Sequence, residues 1–378
     1  MRDRRCAGAF VLLLISFTPR LSAQEPVTWH DPSPHTVQFV TVEDNVKLEV
    51  LDWGGSGRPL VLLAGLGNTA HVFDEFAPKL TSRYHVYGIT RRGYGASSEP
   101  ASGYSADRLG DDVFAVLDTL KLDYPILVGH SITGEELSSI GSRHPERIAG
   151  LVYLDAGYPY AYYDQARGDF YLDVQDLQKK LHQLQSERSP ATQKRLVREL
   201  LQTDLPGIER VLQDFQMDLQ VELPRPPAAT DADRASFPAL GNWLKSVRGF
   251  AVPEAELRQQ STGLRPDGSV GDARDKSTIA SAIVAGGQKY TDIRVPVLAI
   301  FAIPHDPGPF STSSSNRAAL AAAEAHDTSF TEAQAKAFET GVPSARVVRL
   351  PHANHYLFIT NEADVLREIR VFLAGLHS

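Results

Sequence analysis

The chain is poor in the residues that supply covalent and redox chemistry. Among 378 residues there is one cysteine, Cys6, and there are two methionines. Cys6 lies in an N-terminal stretch with the order of a secretory signal. That stretch has a basic start (Met1-Arg-Asp-Arg-Arg5), an apolar run from Ala7 to Phe17, and a small-residue cleavage site at Leu21-Ser-Ala23. A bilayer span takes about 20 apolar residues, so this run predicts a removed leader, residues 1–23, rather than a stable membrane anchor. Its loss would leave a chain with no disulfide and no thiol nucleophile. The expected location is the periplasm or the extracellular space. A second long apolar run is missing, and so is any H-E-x-x-H or similarly spaced ligand cluster, so neither a membrane span nor a metal is implied.

Positive charge is also scarce. The chain carries −8, and the leader holds four arginines and one aspartate, so its removal takes the net charge to −11. An acidic surface argues against nucleic acid as a partner. Hydrophobic residues make up 42% and charged residues 22%, a balance suited to a large buried core.

What is present is a rhythm of short apolar runs. Val37–Val42 and Val46–Leu51 alternate around the turn Glu43-Asp-Asn45, the pattern of a β-hairpin. Leu60–Ala64, Val86–Ile89, Ile126–Val128, Ile148–Leu154, Val297–Phe301 and Val347–Leu350 are instead nearly continuous, as in strands buried on both faces of a parallel sheet. Helical stretches are expected between them at about 70–80, 105–120, 132–144, 312–340 and 361–375. Alternating strand and helix predicts an α/β fold, a mostly parallel sheet flanked by helices. The rhythm stops between about 157 and 292. That segment is polar and helical in pattern, with an aromatic start at Tyr158-Pro-Tyr-Ala-Tyr-Tyr163 and a Pro-rich joint at Pro224-Arg-Pro-Pro227. It reads as a helical lid inserted into a core made of 24–156 and 293–378.

The sharpest local feature is Ile126-Leu-Val-Gly-His-Ser-Ile-Thr-Gly134. An apolar strand runs into a tight turn of small residues, a serine stands at its apex, and a helix follows. This is the setting of a nucleophile elbow, G-x-S-x-G, with Thr133 at the fifth position and the glycine one residue later. A serine hydroxyl needs a base held by a third group. Candidates lie after the late strands, in Ile303-Pro-His-Asp306 and in Pro351-His-Ala-Asn-His355.

Together with Leu63-Ala-Gly-Leu-Gly67, Arg92-Gly-Tyr-Gly-Ala-Ser97 and Val295-Pro-Val-Leu298, these residues resemble the α/β-hydrolase superfamily over nearly all of 37–376. The resemblance implies hydrolysis of a small-molecule carboxylic ester through an acyl-enzyme, with no cofactor. Ser131 would be the nucleophile, His355 the base and Asp306 the acid. The backbone N–H groups of Leu66 and Ile132 would form the oxyanion hole. Asp155, at the end of Leu151-Val-Tyr-Leu-Asp155, is the alternative acid, and His352 the alternative base. Amide, lactone or thioester hydrolysis and acyl transfer would use the same triad, and a non-catalytic secreted binding protein is the reading from another class. His130 is expected to pack beside the elbow. His71 is assigned either to the oxyanion-loop region or to the surface. Glu135 and Glu136 are explained by the dipole of the helix that they open.

Overall fold

A computed structural model describes residues 29–218, 226–313 and 316–376. The leader, Cys6, and Pro224 and Arg225 of the Pro-rich joint lie outside the described residues. Ser33–Ser378 forms one compact unit.

The sheet follows the hydrophobic pattern. Its strands are β1 (Thr36–Glu43), β2 (Val46–Gly54), β3 (Pro59–Leu63), β4 (His85–Ile89), β5 (Ile126–His130), β6 (Gly150–Leu154), β7 (Val297–Ala302) and β8 (Ala345–Leu350). They lie side by side in the order β1-β2-β4-β3-β5-β6-β7-β8. β1 and β2 form the antiparallel hairpin, β2 meets β4 antiparallel, and every later pairing is parallel. Every residue of β5, β6 and β7 is buried, which is why their sequences do not alternate. β1, at one edge, keeps Val37 and Phe39 exposed.

Two apolar layers cover the sheet, one for each side of the pleat. Leu63, Leu127, Leu151, Tyr153, Ala299 and Phe301 point to one side. There they meet α1 (Ala106–Leu120), α2 (Gly134–Arg143) and, further along the chain, the helix Arg317–Gly341. Leu62, Val128, Val152, Leu154 and Ile300 point to the other side, against the C-terminal helix Glu362–Gly375 and the segment Ala70–Leu80. That last segment differs from expectation. It forms two short 3-10 turns, Ala70–Phe73 and Ala77–Lys79, instead of one α-helix. Pro78 lacks an N–H, and Thr69 is held by a tertiary contact at the segment's start.

Between β6 and β7 the described residues form the α-helices α3 (Phe170–Ser186), α4 (Pro190–Glu199), α5 (Leu205–Asp218), α6 (Phe237–Arg248), α7 (Glu254–Gln260) and α8 (Ser277–Val284). The chain then returns to the core through α9 (Pro309–Thr312), α10 (Arg317–Gly341), α11 (Leu357–Thr360) and α12 (Glu362–Gly375). Side-chain caps start several of the inserted helices, with Asp169, Ser189 and Ser236 accepting from the amides of Leu172, Thr192 and Ala239.

The insertion is bound to the core at the elbow and at the loop after β3. Ile279 and Ile283 of α8 pack on Tyr94, Tyr104, Leu109 and Ile132. Glu256 of α7, fully buried, takes hydrogen bonds from Asn68 Nδ2 at 2.9 Å, from the Thr69 amide at 3.1 Å and from the Thr69 hydroxyl. Burial is the largest influence on this carboxyl and outweighs those donors, pushing its pKa up to about 7.

The native state therefore keeps a proton on Glu256 in the interval from about pH 4.5 to about 7, where the unfolded chain has lost it. Its contribution to stability falls as pH rises through that window. Glu256→Gln, which cannot ionise, should lose this dependence. Melting curves from pH 5 to 8 should show the wild type declining relative to the variant as pH rises.

Candidate active site

The elbow is built by a conflict between backbone and side chain. Ser131 has φ +58°, the left-handed region that L-residues avoid. The turn closes because its neighbours leave room. Any Cβ on Gly129 would run into the Thr133 hydroxyl, which donates to the His130 carbonyl at 2.8 Å. A Cβ on Gly134 would collide with the Ala156 carbonyl. Gly134 thus brings α2 against the chain leaving β6, and Thr133 is accommodated one residue earlier.

His355 Nε2 is 2.9 Å from Ser131 Oγ, and His355 Nδ1 is 2.6 Å from Asp155 Oδ2. Asp155 is completely buried, and at φ +45° it too has left-handed backbone. Its Oδ1 accepts from the Ala302 amide at 3.0 Å and from the Tyr158 hydroxyl at 3.1 Å. Burial alone would raise its pKa. Hydrogen bonds and charge from His305 and His355 overcome that and hold the carboxyl far below the usual range, so it is ionised.

This corrects the assignment of Asp306. Its Oδ1 accepts from the Gly308 amide at 2.9 Å, its amide donates to Ala353, and its carbonyl accepts from Asn354 Nδ2. It braces the loop that carries His355 without touching the imidazole. The loop after β7 does face Asp155, but it presents the preceding residue. His305 Nε2 lies 2.7 Å from Asp155 Oδ2, and His305 Nδ1 lies 2.9 Å from Asp327 Oδ1. The motif Ile303-Pro-His-Asp306 contained this histidine, but no local signal separates it from its neighbour. Asp327, in α10, carried no signal.

The other expectations divide. His352 is exposed, its amide donates to the Pro304 carbonyl, and it makes no hydrogen bond to Ser131 among the described residues. His130 is buried beside the elbow, with Nε2 2.9 Å from the His355 carbonyl. Burial, helped by the charge of His355, lowers its pKa to about 3, so it is neutral. His71 is buried, not on the surface. Burial works against its charge, but Asp74 and Glu49 raise its pKa to about 10. Glu135 and Glu136 need more than a helix dipole, because both are buried. Glu136 pairs with Arg91 at 2.5 Å, and Arg91 also donates to the Ala64 carbonyl, tying α2 to the loop after β3. Glu135 is held well above the usual carboxylate range, by burial first and then by Glu136.

That loop passes directly over Ser131. A Cβ on Gly65 would lie 3.1 Å from Ser131 Cβ, and Leu66 and Ile132 belong to one apolar cluster with Tyr160, Ile279 and Ile283. Burial is the largest influence on the Tyr160 hydroxyl and pushes it well above the usual phenol range. A metal is an alternative to consider, since Asp155, His305 and His355 bring ligand atoms within 4.8 Å of one another. Here each nitrogen is spent on a carboxylate or the serine hydroxyl, and Asp155 accepts four hydrogen bonds. The set is a hydrogen-bonded chain instead of an open coordination sphere.

Gly134→Ala should push α2 off the Ala156 carbonyl and cost about 1–3 kcal/mol. Thermal unfolding of the variant should show a correspondingly lower Tm.

Comparison with known proteins agrees with this architecture. The family model described as "alpha/beta hydrolase fold" matches residues 58–362. A 2-(acetamidomethylene)succinate hydrolase of Mesorhizobium japonicum is 29% identical over 101 residues, covering 27% of this chain and 36% of that protein. A putative carbamate hydrolase of Caulobacter segnis is 34% identical over 115 residues, covering 30% and 43%. A fluoroacetate dehalogenase of Burkholderia is 34% identical over 107 residues, covering 27% and 35%. The chain thus spans a third to a half of the length of the curated relatives it matches. Among solved structures, an E-2-(acetamidomethylene)succinate hydrolase superposes with a TM-score of 0.52 at 17% identity, covering 90% of this chain and 99% of that one. A membrane phospholipase A superposes with a TM-score of 0.52 at 18% identity, covering 92% and 88%. With its elbow, its parallel sheet and a family match running from 58 to 362, the chain belongs to the α/β-hydrolase family.

Proposed function

We propose that the protein is a serine hydrolase that cleaves a carboxylic ester through an acyl-enzyme, with Ser131 as nucleophile, His355 as base and Asp155 as acid. The observation that carries this reading is the unbroken chain Ser131 Oγ–His355–Asp155, at 2.9 and 2.6 Å, with the acid fully buried.

In this reading His355 Nε2 accepts the Ser131 proton as Oγ attacks the substrate carbonyl. Asp155 keeps Nδ1 protonated, which fixes the tautomer, and stabilises the imidazolium without itself taking a proton. The Leu66 and Ile132 amides donate to the oxyanion. His355 then passes the proton to the leaving alkoxide, and a water molecule, activated in the same way, releases the acid and restores Ser131. The apolar cluster of Tyr94, Tyr160, Ile132, Ile279 and Ile283 supports an apolar acyl group, with α8 of the insertion acting as the lid. Amide cleavage is the competing reading at the same triad. It is favoured by the names of two relatives, the 2-(acetamidomethylene)succinate and carbamate hydrolases.

A fluorophosphonate probe should label the folded wild type and leave Ser131→Ala unlabelled. Absence of labelling in folded wild type would exclude a serine hydrolase. Against a panel of p-nitrophenyl esters of increasing acyl length, Asp155→Asn should lower kcat by about 10³–10⁴-fold, as loss of a triad acid does. Asp306→Asn should cost far less, and the reverse order would return the acid to Asp306.

A further inference from the structure

The triad acid serves two histidines. Asp155 Oδ2 accepts from His355 Nδ1 at 2.6 Å and from His305 Nε2 at 2.7 Å, and the two rings lie 6.2 Å apart. The other nitrogen of His305 faces a second carboxylate, that of Asp327, at 2.9 and 3.0 Å. Carboxylates only accept, so both nitrogens of His305 must carry hydrogen, and the ring is an imidazolium. His355 differs, because its Nε2 faces a hydroxyl that can give up its proton. Asp327 also accepts from the His305 amide at 2.7 Å, so α10 fixes the backbone of this residue as well as its ring.

We propose that His305 and Asp327 are positioning residues that set the working pH range of the base: the fixed imidazolium of His305 shares Asp155 with His355 and makes His355 a weaker base than an undivided carboxylate would. The inference builds on the serine-hydrolase reading and adds to it. When His355 takes the proton from Ser131, two imidazolium rings share Asp155, and Asp327 supplies the second negative charge. The unit charge on His305 opposes that protonation, so the enzyme keeps a neutral, active His355 at lower pH than a simple triad would.

The groups around His305 fit this role. Asp155 and the Tyr158 hydroxyl reach it from the end of β6, His355 from the loop after β8, and Asp327 from α10. Burial is the largest influence on His305 and works against its charge. Hydrogen bonds that it donates to Asp155 and Asp327, and their charges, overcome it and raise the pKa to about 10. Its side chain is 21% exposed and lines a cavity of about 790 Å³ with Asp306, Glu324, His326 and His352, so solvent protons have access to it.

The test is the pH profile of kcat/KM for p-nitrophenyl acetate. His305→Gln keeps an amide donor for Asp155 and removes the charge. Its acid limb should move to higher pH by about one unit or more, the size expected of a unit charge some 6 Å away in a partly polar interior. A limb that coincides with wild type, in a variant that fluorophosphonate still labels, would overturn the proposal and leave the serine hydrolase standing. Failure of wild type to label removes both. If His305→Gln does not fold, imidazole ¹⁵N NMR of the wild type decides. A ring holding both protons to about pH 9 supports the inference, and titration near pH 6.5 overturns it.

Discussion

A single buried carboxylate organises this molecule. Asp155 stands where β6 ends, without solvent and with left-handed backbone. Burying a charge is expensive unless it is fully hydrogen-bonded. The surrounding structure supplies an amide from the end of β7, a phenol from the chain leaving β6, and imidazoles from the loops after β7 and β8. Four donors converge only if the strands are in register, so the parallel pairing of β6 with β7 and of β7 with β8 is a condition of the site.

The same constraint explains where strain is stored. Ser131 and Asp155 end adjacent strands, and both adopt positive φ. Each turn aims a side chain back across the sheet edge, and each is held by close packing that few residues permit. Gly134 against Ala156 joins the two turns directly, so Ser131 and Asp155 are positioned by one contact. Glu136 with Arg91, and Glu256 with Asn68 and Thr69, then attach α2 and the inserted α7 to the loop over Ser131. Together with Asp155, these two buried carboxyl groups brace the loops around the elbow.

Much of this was legible beforehand because it is local. Continuous apolar runs mark strands buried on both faces, and β3 to β7 follow them closely. A serine between small residues, after such a run and before a helix, marks an elbow even with Thr133 in the glycine's place. The segment 70–80 misled because its apolar spacing is helical while its geometry is set by contacts with α7 and the C-terminal helix. Asp306 misled for a related reason. Its distance along the chain from β7 suited an acid, but a one-residue difference in a loop turns the side chain away.

By itself the sequence determined the order of the strands and of most helices between them, the inserted helical segment and the candidates Ser131 and His355, whose side chains meet. These depend on hydrophobic periodicity and on turns a few residues long, which are written in adjacent positions. Only the tertiary structure decided which carboxylate faces His355, the use of Gly134, the burial of Glu135, Glu136 and Glu256, and the chain from Asp155 through His305 to Asp327. Those groups are brought together from β6, β7 and α10 across as many as 172 positions. Hydrogen bonds between such distant residues leave no periodic trace in a sequence; they exist only once the sheet has set the register of its strand ends.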